Sequence, residues 1–271
     1  MDRAKEVFRD HFRISNGERY LGGFVGTKTE ENAWLTKKVD AWFEGFKLLL
    51  VVATQFPQTA YAVLQKSLQA EWKFVQSVTN LGPNAPVFTR IEEALATRFL
   101  LHLLGVLKIE ASLWRIFALP VKALGLALPD PTVTGAENHT VLTVCMGEII
   151  AAMRKKAPFN HKDHMVAMRE TKAELWKQHL EREGNELESL LSKLPKYDRC
   201  TIERGKATGA WLTCLPSTLA GTELSWNKFM DSLCLRYCLP ILDLPELCDR
   251  CGKKCNVQHA LNCMKGGLII A

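Results

Sequence analysis

From Asn32 to about Leu107 the apolar residues of this chain recur every three or four positions, beginning with Trp34, Leu35, Val39, Trp42, Phe43 and Phe46. That is the period of a helix with one buried face. It directs the first part of the chain toward helix packed on helix. Pro57 suits a first helical turn and opens a second predicted helix through 58–78, with Tyr61, Leu64, Leu68, Trp72 and Val75 as its face. Leu81-Gly-Pro-Asn-Ala-Pro86 is a loop by composition, and a third helix is predicted over Arg90–Leu104. The best strand signal lies at Gly17–Val25, where Leu21-Gly22-Gly23-Phe24-Val25-Gly26 lacks the full dinucleotide fingerprint and reads as a turn between strands.

Beyond these helices, proline and glycine punctuate Leu119–Asn138, which composition marks as a domain seam. A helix over Thr140–Lys155 is expected to end in Arg154-Lys155-Lys156, where positive charge suits the helix dipole. Lys162–Leu194 reads as one long charged helix with a thin stripe of Leu175, Leu187, Leu190, Leu191 and Leu194, a spacer or arm open to a protein partner. A further helix is predicted at Trp226–Cys238. The expectation is a mainly α protein in four parts: a β remnant over 1–30, a helical domain over 31–135, a charged helical linker over 136–196 and a C-terminal domain over 197–271.

The apolar runs Leu48–Ala53 and Phe99–Leu104 fall far short of the roughly 20 residues of a membrane helix. MDRAKEVFRDHF at the N-terminus has no apolar core of the kind a secretory signal needs. An intracellular protein, nuclear or cytoplasmic, is therefore expected, with no membrane partner. In that setting nine cysteines do not make a disulfide framework. A net charge of +6 permits an anionic partner without requiring one.

Four of the nine cysteines crowd around one histidine in CDRCGKKCNVQHALNC, Cys248–Cys263. Cys248 and Cys251 stand two residues apart, the spacing at which two thiolates converge from a tight turn, and Gly252 supplies backbone freedom. His259 and Cys263 stand at i and i+4, on one side of a helical turn. The pattern predicts a closed, structural zinc site of Cys248, Cys251, His259 and Cys263, with Cys255 as a competitor expected to be a packed thiol. Arg250, Lys253, Lys254 and Lys265 against Asp249 leave the loop basic. Lys253, Lys254, Lys265 and, from the preceding helix, Arg236 are the candidate phosphate contacts.

No phosphate-cradling Gly-x4-Gly-Lys-Ser/Thr loop and no Gly-x-Ser-x-Gly occurs, and no adjacent acidic pair suited to two-metal chemistry stands out. His161-Lys-Asp-His164 reads as a solvated polar turn. Trp34, Trp42 and Trp72 read as core. No catalytic residue is assigned, and the chain alone is not expected to be an enzyme.

The order of several stretches resembles a known family. Gly17-x-x-Tyr20-Leu21-Gly22-Gly23-x-x-Gly26, Lys38-Val39-x-x-Trp42, Phe56-Pro57-Gln58-Thr59-Ala60-Tyr61 and Glu71-Trp72 look like the region after the catalytic palm of a non-LTR (LINE-like) retrotransposon reverse transcriptase. Leu119-Pro120-Val121-Lys122 with Gly125-Leu126 is similar to that family's Leu-Pro-x-x-x-Gly-Gly-Leu, Leu124 replacing the first glycine. Gly209–Thr213, Phe229-x-x-x-Leu233-x-Leu235-Arg236-Tyr237, and Cys248-x-x-Cys251-Gly252 through His259-Ala260-Leu261-x-Cys263-x-Lys265-Gly266-Gly267 extend the resemblance over most of the chain outside Lys155–Lys196. It implies a primer-grip hairpin over 1–30, a thumb-like bundle over 31–135 and a zinc module near the end, holding a template–primer duplex of RNA or DNA by its backbone. In relatives the Cys255 slot is commonly aromatic or apolar. The palm with its paired aspartates is expected before Met1, and an Arg-His-Asn stretch is expected beyond Ala271. The alternative is a zinc-knuckle protein-interaction adaptor domesticated from such an element.

Overall fold

The computed structural model describes residues 15–82, 85–155, 158–241 and 244–265. The first fourteen residues of the expected 1–30 remnant, Lys156 and the Gly266-Gly267 pair of the resemblance lie outside them. The described chain is mainly helical, with a two-stranded hairpin at one end and a Cys/His cluster at the other. No described helix is long and apolar enough to cross a membrane.

Strands β1 (Gly17–Tyr20) and β2 (Gly23–Gly26) pair antiparallel, with Tyr20 opposite Gly23. The two-residue turn between them, Leu21-Gly22, has positive φ at both positions (47° and 85°), as a tight hairpin turn requires. Helix α1 (Lys28–Gln55) follows, capped by the Thr27 side chain, and buries Leu35, Val39, Trp42, Phe43, Phe46 and Leu49. Pro57 has no N–H to continue the ladder, so the chain breaks at Phe56 and restarts as α2 (Pro57–Val63). A π-helical turn at Leu64–Leu68 joins α2 to α3 (Gln69–Val78). A second π-helical turn, Leu95–Phe99, lies between α4 (Thr89–Ala94) and α5 (Leu100–Leu104), which ends at the left-handed Gly105. These elements fill the helical positions predicted from periodicity, and Tyr61, Phe46, Phe88 and Phe99 are among the largest fully buried side chains.

The segment expected as a seam is core instead. Short helix α6 (Ala111–Ala118) leads into it, and Leu119, Val121, Leu124, Leu126 and Leu128 are all buried. Its carbonyls are satisfied by side chains of α2, α3 and the π turn between them. Tyr61 Oη and Gln65 Nε2 both donate to the Leu126 carbonyl at 2.7 Å, Gln69 donates to Ala127 at 3.1 Å, and Gln76 to Pro131 at 2.7 Å. Buried backbone carbonyls require partners, and this row of glutamines lets an irregular segment occupy the interior. Prolines and glycines mark the irregularity but not the burial.

Asp130 then caps α7 (Pro131–Cys145), accepting from the Thr132 N–H at 2.8 Å with Pro131 in the first turn. The helix expected from Thr140 thus begins nine residues earlier and breaks before α8 (Gly147–Met153). Helix α9 (His161–Ser192) matches the long charged stretch, yet its second half is docked, with Leu187, Leu190 and Leu191 buried in the common core. His164 departs from the solvated turn expected of it: it is buried, with Nδ1 3.2 Å from a Glu148 carboxylate oxygen on α8. Helix α10 (Lys196–Arg204), a 3-10 stretch Gly205–Thr213 and helix α11 (Trp226–Arg236) complete the packed body. One cluster of buried residues runs from Leu35 to Tyr237. The chain leaves it only after Leu239, toward the cysteines.

Candidate metal centre

Two short pieces build the cluster. The first is a knuckle in which Cys248 N–H donates to the Lys253 carbonyl and Gly252 N–H to the Cys248 carbonyl, both at 2.8 Å. Gly252 closes it in the left-handed region (φ 67°), where a side chain would be strained. Leu247 and Lys254 form a β-bridge across its base, and Cys255 N–H donates to the Glu246 carbonyl. The second piece is helix α12 (Val257–Asn262), capped by Asn256, whose side chain accepts from the His259 N–H at 2.7 Å. The cap fixes where the helix begins, and so which way His259 points.

Knuckle and helix bring the four predicted donors together. One ligand atom each from Cys248, Cys251, His259 and Cys263 lies within 4.8 Å of all the others. Cys248 Sγ and Cys263 Sγ are 3.6 Å apart, and Cys251 Sγ is 3.0 Å from His259 Nε2. Two sulfurs each about 2.3 Å from one tetrahedral ion would stand about 3.8 Å apart, so the sulfur pair already has the separation a shared ion imposes. Three thiols and one imidazole are also the donor set of a soft, tetrahedral site. The residues fit a metal such as zinc. Cys255, the competitor, is not a member of the tetrad.

Electrostatics favours a thiolate here. The N–H groups of Arg250 and Cys251, and then the His259 side chain, stabilise the Cys248 anion and pull its pKa down to about 6. At Cys263 the Lys265 N–H acts the same way, but burial and the neighbouring Cys248 and Cys251 thiols outweigh it and the pKa rises. Burial, then the Cys248, Asp249 and Cys263 charges, push Cys255 up. Crowded sulfurs that cannot all ionise are the situation a dication relieves.

Lys253, Lys254 and Lys265 are exposed beside the cluster. Arg236 is not with them. Its guanidinium lies in the interior, donating to the Gly205 carbonyl at 2.6 Å and the Val121 carbonyl at 3.5 Å, and it touches Tyr237 Oη through Nε. Its role is to join three segments, and a phosphate contact is not available to it in this packing. The sequence reading also missed the Asn256 cap, which Asn one residue before an apolar helical turn could have signalled.

No protein-family model, curated protein or solved structure matches this chain.

Proposed function

We propose that this chain is a non-catalytic nucleic-acid-holding module: a helical, thumb-like body with a zinc-stapled C-terminal knuckle, of the kind that follows the palm in non-LTR reverse transcriptases. The observation that carries this reading is the convergence of Cys248, Cys251, His259 and Cys263 beneath a loop whose exposed side chains include Lys253 and Lys254, with Lys265 just after the last ligand. All four positions of a tetrahedral ion are then filled by protein, which leaves none for a reactive water, so zinc acts as a staple. The staple holds the lysines against a phosphate backbone, a contact that ignores base identity. The ordered stretches from Gly17 to Lys265 that resemble the family support the same reading.

The test is a binding titration of a template–primer duplex to the zinc-loaded chain at several salt concentrations. The expected result is affinity that falls steeply with salt, with a log–log slope reduced by roughly one for each of Lys253, Lys254 and Lys265 changed to Glu. With magnesium and nucleotides supplied, no primer extension is expected. Duplex binding that is absent, or indifferent to both salt and these lysines, would reject the reading.

A further inference from the structure

The four donors of the metal centre are not placed alike. Cys248 Sγ stands 3.6 Å from Cys263 Sγ, while Cys251 Sγ faces His259 Nε2 at 3.0 Å. The tetrad is thus a sulfur–sulfur pair beside a sulfur–imidazole pair. The two sulfurs of the first pair differ in access, since Cys248 is half-buried and Cys263 is buried. Their backbones are also the looser ones. Cys263 lies just outside α12 in extended backbone (φ −68°, ψ 112°), and Cys248 opens the knuckle beside the Leu247–Lys254 bridge. His259 instead sits within α12, behind the Asn256 cap.

A cysteine that ligates a metal does so as the thiolate, the form of sulfur that attacks peroxides. Cys248 is the member of the pair that solvent reaches. Its sulfur attacks the peroxide O–O bond, takes one oxygen to become a sulfenic acid, and the other oxygen leaves as hydroxide. The Cys263 thiolate, sheltered from the oxidant, then attacks the Cys248 sulfur. An S–S bond forms as the S–O bond breaks and a second hydroxide leaves. The two sulfurs give up two electrons, the peroxide takes them, and two protons from solvent turn both hydroxides into water. To bond, the sulfurs close by about 1.5 Å. Cys251 has an imidazole as its near neighbour, which offers no such partner.

We propose that this pair is a peroxide-sensitive latch on the metal centre: oxidation joins Cys248 to Cys263, leaves only Cys251 and His259 as ligands, and sets the metal free. A structural site of this kind needs all four ligands, and so small a module folds on its metal. The disulfide therefore replaces a centre that orders 244–265 by a single link that does not, and a dithiol reverses it by exchange. The accompanying loss of phosphate contact rests on the function proposed above; the disulfide and the release of metal do not.

The experiment adds hydrogen peroxide to the zinc-loaded full chain carrying C200S and C214S, which remove the two exposed thiols outside the module. Released zinc is followed with a coloured chelator, and disulfides are mapped by mass spectrometry of peptides. Zinc is expected to leave in step with a Cys248–Cys263 disulfide, one disulfide for each ion, and to be bound again after dithiothreitol and fresh zinc. Adding C255S should change neither result, because Cys255 is not a member of the tetrad. Zinc retained while peroxide is consumed, a disulfide that maps to Cys248–Cys251 or includes Cys255, or a loss of zinc that dithiothreitol cannot reverse would each overturn the proposal. Duplex affinity measured on the same samples should fall at least about tenfold on oxidation and return with the metal. Affinity unmoved while zinc leaves, or no duplex binding at the outset, would reject the function proposed above and leave the latch standing on its zinc and disulfide readings.

Discussion

Arg236 and Tyr237 show how much of this fold hangs on single side chains. Tyr237 Oη donates to the Leu124 carbonyl at 2.9 Å, and its ring packs edge-on against Phe117, 4.7 Å between centroids. Arg236 reaches from the same helix end to Gly205 and Val121. Three stretches far apart in sequence therefore meet at one point, and each contributes to the family resemblance or lies beside a stretch that does. Replacing Arg236 by Ala removes one donor from each of the Gly205 and Val121 carbonyls, which keep only Thr208 Oγ1 and the Leu124 N–H, and opens a cavity. A loss of about 3 kcal/mol in unfolding free energy is expected, measurable by urea denaturation. A loss near zero would mean that the guanidinium is bound no better here than in water. Gly125 is the matching constraint on the other partner. A Cβ there would fall 1.7 Å from the Leu119 carbonyl oxygen, a backbone atom that has no rotamer to escape into. G125A is expected to cost at least about 3 kcal/mol, or to give no folded protein. Leu124, one residue earlier, sits at φ 71° and is fully buried. The glycine that the resembled pattern has at this position would relieve roughly 1 kcal/mol of backbone strain. It would forfeit a buried leucine worth roughly 3 kcal/mol, so L124G is expected to destabilise in spite of its easier backbone.

Among elements, the knuckle and α12 stand apart from the packed helical body. Between Leu244 and Lys265 only Cys263 is buried among the described side chains, whereas most of the helices before Tyr237, though not α7 or α8, contribute residues to one apolar cluster. So small a piece cannot fold on its own apolar surface. Zinc binding, about 10 kcal/mol or more in comparable modules, is large enough to supply the difference. Removal of the metal with a chelator is therefore expected to leave the main thermal transition within a few degrees of its place. Hydrogen exchange should become fast over 244–265 alone. A collapse of the whole helical body on chelation would contradict this division. Cysteine variants separate the ligands: C263S should lose bound metal, while C255S should keep one ion per chain. The site was legible in the sequence because its four ligands lie within sixteen residues and local spacing sets their geometry. Leu119–Leu128 was not legible for the opposite reason. Its burial depends on Tyr61, Gln65 and Gln69, more than fifty residues upstream of the carbonyls they hold, and no local pattern distinguishes a glutamine that will clamp a loop from one that will face water. The same holds for Gln58, which grips Thr222 and Leu224 by both ends of its amide.

On the scale of the whole molecule, α9 is held in two ways. Its C-terminal half is in the core through Leu187, Leu190 and Leu191. Its middle is held by charge, with Arg182 paired to Glu137 of α7 and His179 between Glu137 and Glu183. Periodicity showed the leucine stripe; the polar attachment, made across to another helix, left no trace in the local pattern. Stability should respond to pH through this second attachment. Burial raises the Glu183 carboxyl pKa above the ordinary glutamate value, with a smaller upward push from Glu137, against the opposing pull of His179 and Arg182. A raised pKa means that the folded chain binds the proton more tightly than the unfolded chain does. The contribution of Glu183 is thus fully present below its unfolded pKa and is lost as pH rises through the folded one. In E183Q nothing titrates at this position. The unfolding free energy of E183Q minus that of the parent is therefore expected to increase with pH from about 4 upward and then level off once Glu183 is ionised in both states. Urea denaturation at half-unit pH steps would show it, and hydrogen exchange would place the effect around residues 176–186 rather than at 187–192. A difference that instead falls with pH would mean that the bonds from His179 and Arg182 stabilise the ionised carboxylate by more than its burial costs.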